Sequence, residues 1–144
     1  MASTARTTTA VTAGAIAWAV LWVGGAALAG AIWPNIIVPN QRLEHSGALV
    51  GYILYSVMVS VAAGYLTARI TQGAARAVPI LAAIQLALGL VIELSAWDKT
   101  PVWYHIVFLA LLVPALLFGG SLWKRRSAQF RHAEHKHGGI IAGR

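Results

Sequence analysis

Cysteine is absent from the chain, so disulfide stapling, thiol redox chemistry, thiolate metal sites and iron–sulfur clusters are all excluded. Charge is scarce too: 10% of the residues are charged and only four are acidic, where a soluble domain of this length carries roughly 25% charged residues. What takes their place is apolar, with 58% hydrophobic residues and a mean hydropathy of +0.69. These values describe an integral membrane protein. At 144 residues the chain is one domain, and four crossings of about 22 residues consume nearly all of it.

The first apolar run goes from about Ala10 to Ile32 and stops at Trp33, Pro34 and Asn35, where proline removes a donor and asparagine favours a turn. The connector PNQRLEH (Pro39 to His45) leads to a second run from Ser46, a plausible helix cap, to Ile70. The third begins near Ala77, holds Pro79 in its first turn and lasts to about Ala96; the fourth covers Val102 to Trp123. Each is long enough for a hydrocarbon core of about 30 Å, and none has lysine or arginine in its middle. The expected fold is an all-α four-helix membrane bundle over residues 1–126, with a basic, histidine-containing, flexible tail over 127–144. Arg6 before an apolar stretch ending in AALAGA resembles a secretory signal, but a run of about 22 residues exceeds the 7 to 15 of a signal's apolar region, so the first helix is expected to be retained.

Lysine and arginine are unevenly placed. With both termini in the cytoplasm, nine basic residues lie inside (Arg6, Arg69, Arg76, Lys124, Arg125, Arg126, Arg131, Lys136 and Arg144) and two, Arg42 and Lys99, lie outside. The net charge of +7 then belongs mainly to a cytoplasmic rim and tail that sit against anionic headgroups, so the lipid bilayer is the expected partner and nucleic acid is not.

Helix association in lipid relies on small residues and polar pairing. Gly25 with Ala29, Gly47 with Gly51, and the series Ser60, Gly64 and Ala68 supply four-residue spacings and are expected to be packing faces, within the chain or between copies.

One carboxylate is out of place. Glu93 lies in the closing turn of the third run, in a row with Gln85, Gly89 and Trp97 at steps of four, about 6 Å below the aromatic belt and partly desolvated. It can snorkel to the outer headgroups or pair with Arg42 or Lys99 and tie the outer connectors together, or it can be a protonatable site in a polar vestibule. On the second run, Tyr52, Ser56, Ser60, Ala63 and Thr67 share a face, with Tyr55 beside it; their hydroxyls either bond their own backbone or line a polar route. Arg42, Glu44, His45, Asp98 and His105 are the outer-face candidates. His45 and His105 each lie at a helix amino end, where a neutral ring able to ligate metal or haem is chemically reasonable, and with Glu44, Glu93 and Asp98 nearby in depth an outer-face metal or haem site can be drawn, though no cofactor is predicted. His132, Glu134, His135 and His137 form a second metal-capable group in the tail, read as solvated.

Small multidrug transporters carry an essential carboxylate in their first span; residues 10–32 contain none. Phosphate loops, HExxH and Ser/His/Asp sets are also missing, no catalytic residue is nominated, and the reading leans away from an enzyme. An aromatic–proline stop (Trp33, Pro34), the run AGYLTARI (Ala63 to Ile70), a Pro-x-Trp-aromatic opening (Pro101, Trp103, Tyr104) and a proline with glycines before a basic end (Pro114, Gly119, Gly120, Lys124 to Arg126) are similar to a group of uncharacterised bacterial four-span inner-membrane proteins, over residues 10 to 126. That resemblance implies architecture and a bacterial inner-membrane location and no activity; Arg42, Glu44 and His45 depart from it. Function is expected to be that of an accessory or structural membrane protein that self-associates or binds a membrane partner. The alternatives are a small transporter or proton-coupled permease using Glu93, Gln85, Tyr52, Ser56 and Ser60, and a haem- or metal-binding redox subunit.

Overall fold

A computed structural model describes the backbone of residues 2–38 and 41–141 and the side chains of 4–38 and 41–129. All regular structure among the described residues is helical: α1 (Ala2–Ile32), α2 (Ser46–Ile70), α3 (Ala77–Ser95), a 3₁₀ turn η1 (Trp97–Lys99) and α4 (Val102–Ile141). Four helices are long and apolar enough to cross a membrane, so the chain is a multi-pass four-helix membrane protein.

The helices alternate in direction. Arg6 at the start of α1 donates from Nε to the Ile70 carbonyl at the end of α2 (2.8 Å), while at the opposite end the Leu43 N–H donates to the Lys99 carbonyl (2.8 Å). The second bond ties the α1–α2 connector to the α3–α4 connector and closes one end of the bundle, here called the vestibule end. Arg6 also accounts for α1 beginning well before Ala10: a guanidinium on a helix C-terminal carbonyl is a favourable cap, and Thr8 and Thr9 bond back to the carbonyls of Thr4 and Ala5 (3.1 and 3.0 Å) instead of needing water.

The cap of α2 is His45, not Ser46. The His45 Nδ1 accepts from the Ala48 N–H (3.2 Å), satisfying one of the helix's free donors and leaving Ser46 as the first helical residue. At its other end α2 closes in a Schellman turn: Gly73 N–H donates to the Ala68 carbonyl (2.8 Å) and Gln72 N–H to the Arg69 carbonyl (3.2 Å), with Gln72 at φ 52° and Gly73 at φ 82°.

The largest interface is between α2 and α4, α3 packs chiefly on α4, and α1 packs on α2 and more lightly on α3. Glycine makes the α2–α4 contact close: a methyl group added at Gly64 would overlap the Leu116 carbonyl, and one at Gly119 the Val61 carbonyl. Gly64 therefore packs as its spacing predicts. At Gly25, Gly47 and Gly51 the surroundings differ. Space beside Gly51 is open, Gly47 faces the ring of nearby His45, and a methyl group added at Gly25 would overlap the Tyr55 side chain of α2. The upper parts of α1 and α2 splay because Trp22, Tyr52 and Tyr55 stand between them, and a groove remains where helix-to-helix packing is expected.

Candidate functional site

The polar row of α3 turns inward. Gln85, Gly89 and Glu93 are all buried, on the face that meets α4, where Gly89 is flanked by Phe108, Leu109 and Leu112. Trp97 leaves the row because α3 ends at Ser95: Ala96, at φ −111°, turns the chain into η1, and Trp97 is carried to the surface.

There it covers His105. The two rings stack with centroids 4.6 Å apart and planes 11° from parallel. His105 is 1% exposed and Glu93 5%, and the Nδ1 of His105 is hydrogen-bonded to Oε2 of Glu93. Glu93 thus pairs with neither cationic residue considered for it. Arg42 instead pairs with its neighbour Glu44 (3.3 Å), and both side chains are more than half exposed, so that bridge contributes little to stability. A carboxylate that faces α4 within the last turn of α3 meets the first turn of that helix, where His105 stands, before it can reach the connectors.

The hydrogen bonds of His105 limit its protonation states. Its Nε2 lies 3.0 Å from Thr100 Oγ1 and 3.3 Å from the Trp97 carbonyl. A carbonyl only accepts, so the Trp97 contact requires a hydrogen on Nε2, whereas the hydroxyl of Thr100 can donate or accept. With Nε2 protonated, the hydrogen between Nδ1 and Oε2 makes the pair neutral overall, as imidazolium and carboxylate or as imidazole and carboxylic acid. With Thr100 donating to a bare Nε2, an Nδ1–H donates to the carboxylate and the pair carries one negative charge. Two states one proton apart are therefore both hydrogen-bonded, and they differ in the direction of the Thr100 bond and in the contact with the Trp97 carbonyl.

Glu93 also borders a cavity of about 330 Å³ at the vestibule end. Its polar lining includes Arg42, Lys99, Thr100, Tyr52 and Tyr104, and Trp22 and Leu49 contribute apolar wall; His105 is not part of the lining. Trp22 organises that wall, standing 6.0 Å from Tyr52, 6.0 Å from Tyr55 and 5.4 Å from Phe108, centroid to centroid. Tyr55 in turn donates to the Leu21 carbonyl (2.5 Å).

Deeper in the bundle, Ser56, Ser60 and Thr67 are buried as their shared face requires. Two of the hydroxyls bond across the helix interface rather than to their own backbone: Ser60 Oγ accepts from the indole N–H of Trp18 (3.0 Å), and Thr67 Oγ1 donates to the Ala10 carbonyl (3.4 Å). An indole N–H facing a bundle interior needs an acceptor, and Ser60 is within reach. Gln85 is different: it is 1% exposed, and neither its Nε2 nor its Oε1 has a hydrogen-bond partner.

Of the remaining candidates, Glu44, His45 and Asp98 are exposed. Among the described residues no group of three or more His, Asp or Glu stands together as a metal site would require. The tail group His132, Glu134, His135 and His137 lies outside the residues whose side chains are described, as do Pro39 and Asn40 of the connector. Sequence reasoning brought Glu93 and His105 together only as members of a possible outer-face metal or haem site, not as a bonded pair, and passed over Thr100; the eleven residues between them, a helix end followed by a tight turn, were the available signal that the two could meet.

No protein-family model matches the chain, and neither does any curated protein or solved structure.

Proposed function

We propose that the protein is a small proton-coupled membrane carrier in which the Glu93–His105 pair takes up and releases the coupling proton at the vestibule. The observation that carries this reading is a buried carboxylate bonded to a buried imidazole, with the carboxylate alone bordering the cavity. Ionisable groups inside a membrane bundle are expensive and are found where protons or ions are handled. Tyr104 and Tyr52 border the same cavity as Glu93, and Thr100, which can donate or accept, keeps the far nitrogen of His105 hydrogen-bonded in either protonation state. The lone amide of Gln85 and the hydroxyls of Ser56 and Ser60 continue the polar interior beyond the pair. The chain is placed in a bacterial cytoplasmic membrane with both termini inside, as its lysine and arginine distribution and its resemblance to four-span inner-membrane proteins suggest, and the vestibule then opens outward.

The test is proton movement in liposomes loaded with a pH-sensitive dye, under an imposed membrane potential and with candidate solutes added. Wild-type protein is expected to acidify the lumen with a co-transported solute, and Glu93→Gln to abolish this while eluting as an intact protein. Equal acidification by Glu93→Gln removes the pair from the mechanism.

The groove between α1 and α2 favours a second reading, that of an accessory subunit. Gly25, Ala29, Gly47 and Gly51 border about 560 Å³ of almost wholly apolar space that the chain does not fill itself. Close approach of a partner helix suits such a lining. Native mass measurement after gentle solubilisation distinguishes a complex from a lone chain.

A further inference from the structure

The vestibule differs from the α1–α2 groove in charge. Two basic residues, Arg42 and Lys99, border it, while of the described acidic residues only Glu93 does; Glu44 and Asp98 are not part of its lining. Glu93 is bonded to His105, and when the pair holds its second proton its net charge is zero. The space is then bounded by cationic groups at the connectors and by aromatic and aliphatic walls, with no uncompensated negative charge. Its volume of about 330 Å³ is at the lower end of the roughly 300 to 1,000 Å³ usual for small-molecule sites.

The two cationic residues are held together by the fold. The hydrogen bond from Leu43 N–H to the Lys99 carbonyl joins the residue after Arg42 to Lys99 itself, so the two connectors bring both basic residues to one cavity. Neither base is consumed by the interior: Arg42 meets Glu44 only in an exposed pair, and Lys99 makes no ion pair among the described residues.

We infer that the vestibule binds an amphiphile with a single anionic head, its head at Arg42 and Lys99 and its apolar body against Trp22, Tyr52 and Tyr104. A free aliphatic or aromatic monocarboxylate and an anionic lipid share this chemistry. This assignment rests on the carrier reading in one respect, the coupling of binding to the proton. An anion entering beside Glu93 is repelled when the Glu93–His105 pair is negative and not when it is neutral, so binding should draw one proton onto the pair. The other titratable or charged groups bordering the cavity with Glu93 are Tyr52 of α2, Tyr104 of α4 and the two connector bases.

The test is calorimetric titration of the full chain, in nanodiscs of phosphatidylcholine, with octanoate and phenylacetate, and with octyltrimethylammonium as the cationic control, in buffers of different ionisation enthalpy. Both acids are expected to bind and the cation not, with affinity reduced roughly tenfold by Arg42→Gln together with Lys99→Gln, the loss expected of one charge-assisted hydrogen bond. These exposed connector positions leave folding undisturbed. Loss of octanoate binding when phosphatidylglycerol is included, restored by dilution of that lipid, assigns the site to lipid; binding indifferent to it assigns the free acid. Absence of acid binding, or binding unaffected by the double substitution, overturns the inference. Binding with no proton uptake leaves the anion site standing and counts against the carrier reading, whereas proton transport through Glu93 without acid binding does the reverse.

Discussion

Glu93 and His105 face each other across the α3–α4 turn, the carboxylate of one bonded to the Nδ1 of the other, and both are shut away from solvent. Eleven residues lie between them, and over these the chain ends a helix, makes one 3₁₀ turn and starts another helix. The pair therefore closes this turn as well as forming the candidate site. Removing one partner leaves a buried group without its counterpart, which in buried pairs costs about 3–5 kcal/mol. Glu93→Ala is expected to lower the thermal stability of the purified protein by this order. Glu93→Gln keeps an oxygen and an amide for the imidazole and is expected to lose much less; thermal unfolding in detergent compares the two.

At Gly64 and Gly119 the neighbours of any added methyl group are backbone carbonyls, which cannot rotate away. Gly64→Ala and Gly119→Ala are each expected to destabilise by roughly 1–3 kcal/mol through overpacking. Gly51→Ala, with open space beside it, is expected to have little effect. The contrast is read in the midpoint of thermal or denaturant unfolding.

Gln85 has no partner for either amide atom. If its place were purely structural, Gln85→Met would relieve an unsatisfied polar group and raise stability by about 1 kcal/mol. In the carrier reading the same substitution also slows proton-coupled flux. Measuring stability and flux on one preparation separates the two effects, and increased stability with unchanged flux takes Gln85 out of the polar route.

Gln72 sits at φ 52°, where a side chain other than glycine's is strained by about 1–2 kcal/mol. Gln72→Gly should raise the unfolding midpoint, and Gln72→Val should lower it, with transport unchanged in both because the turn lies at the end of the bundle away from the vestibule.

The four spans were legible because length and hydropathy alone determine them, and the observed helices contain the expected runs, with α3 ending one residue early at Ser95 and α1 and α4 extending beyond them. Rotation of each helix was harder to read. A membrane helix is apolar on nearly every side, so small residues alone do not tell a packed face from an open one: Gly64 meets α4, whereas Gly47 and Gly51, at the same spacing, border a groove. Glu93 stood out as the carboxylate in the wrong solvent. Its partner did not, because the choice among Arg42, Lys99 and His105 depends on where α3 stops and on the connector bond between Leu43 and Lys99, a tertiary contact with no sequence signature. The same contact gathers Arg42 and Lys99 at one cavity, so the vestibule emerges only from the folded chain.

The central claim is that Glu93 and His105 exchange a proton with the vestibule. Infrared difference spectroscopy during a pH step tests it most directly, comparing wild-type protein with Glu93→Gln and His105→Asn. Exposed Glu44 and Asp98 give signals common to all three, so subtraction isolates the pair. The account predicts a titrating carboxyl or imidazole band in the wild-type protein that is lost in Glu93→Gln and altered in His105→Asn. Identical difference spectra for wild type and Glu93→Gln across the pH range in which the protein stays folded would contradict it.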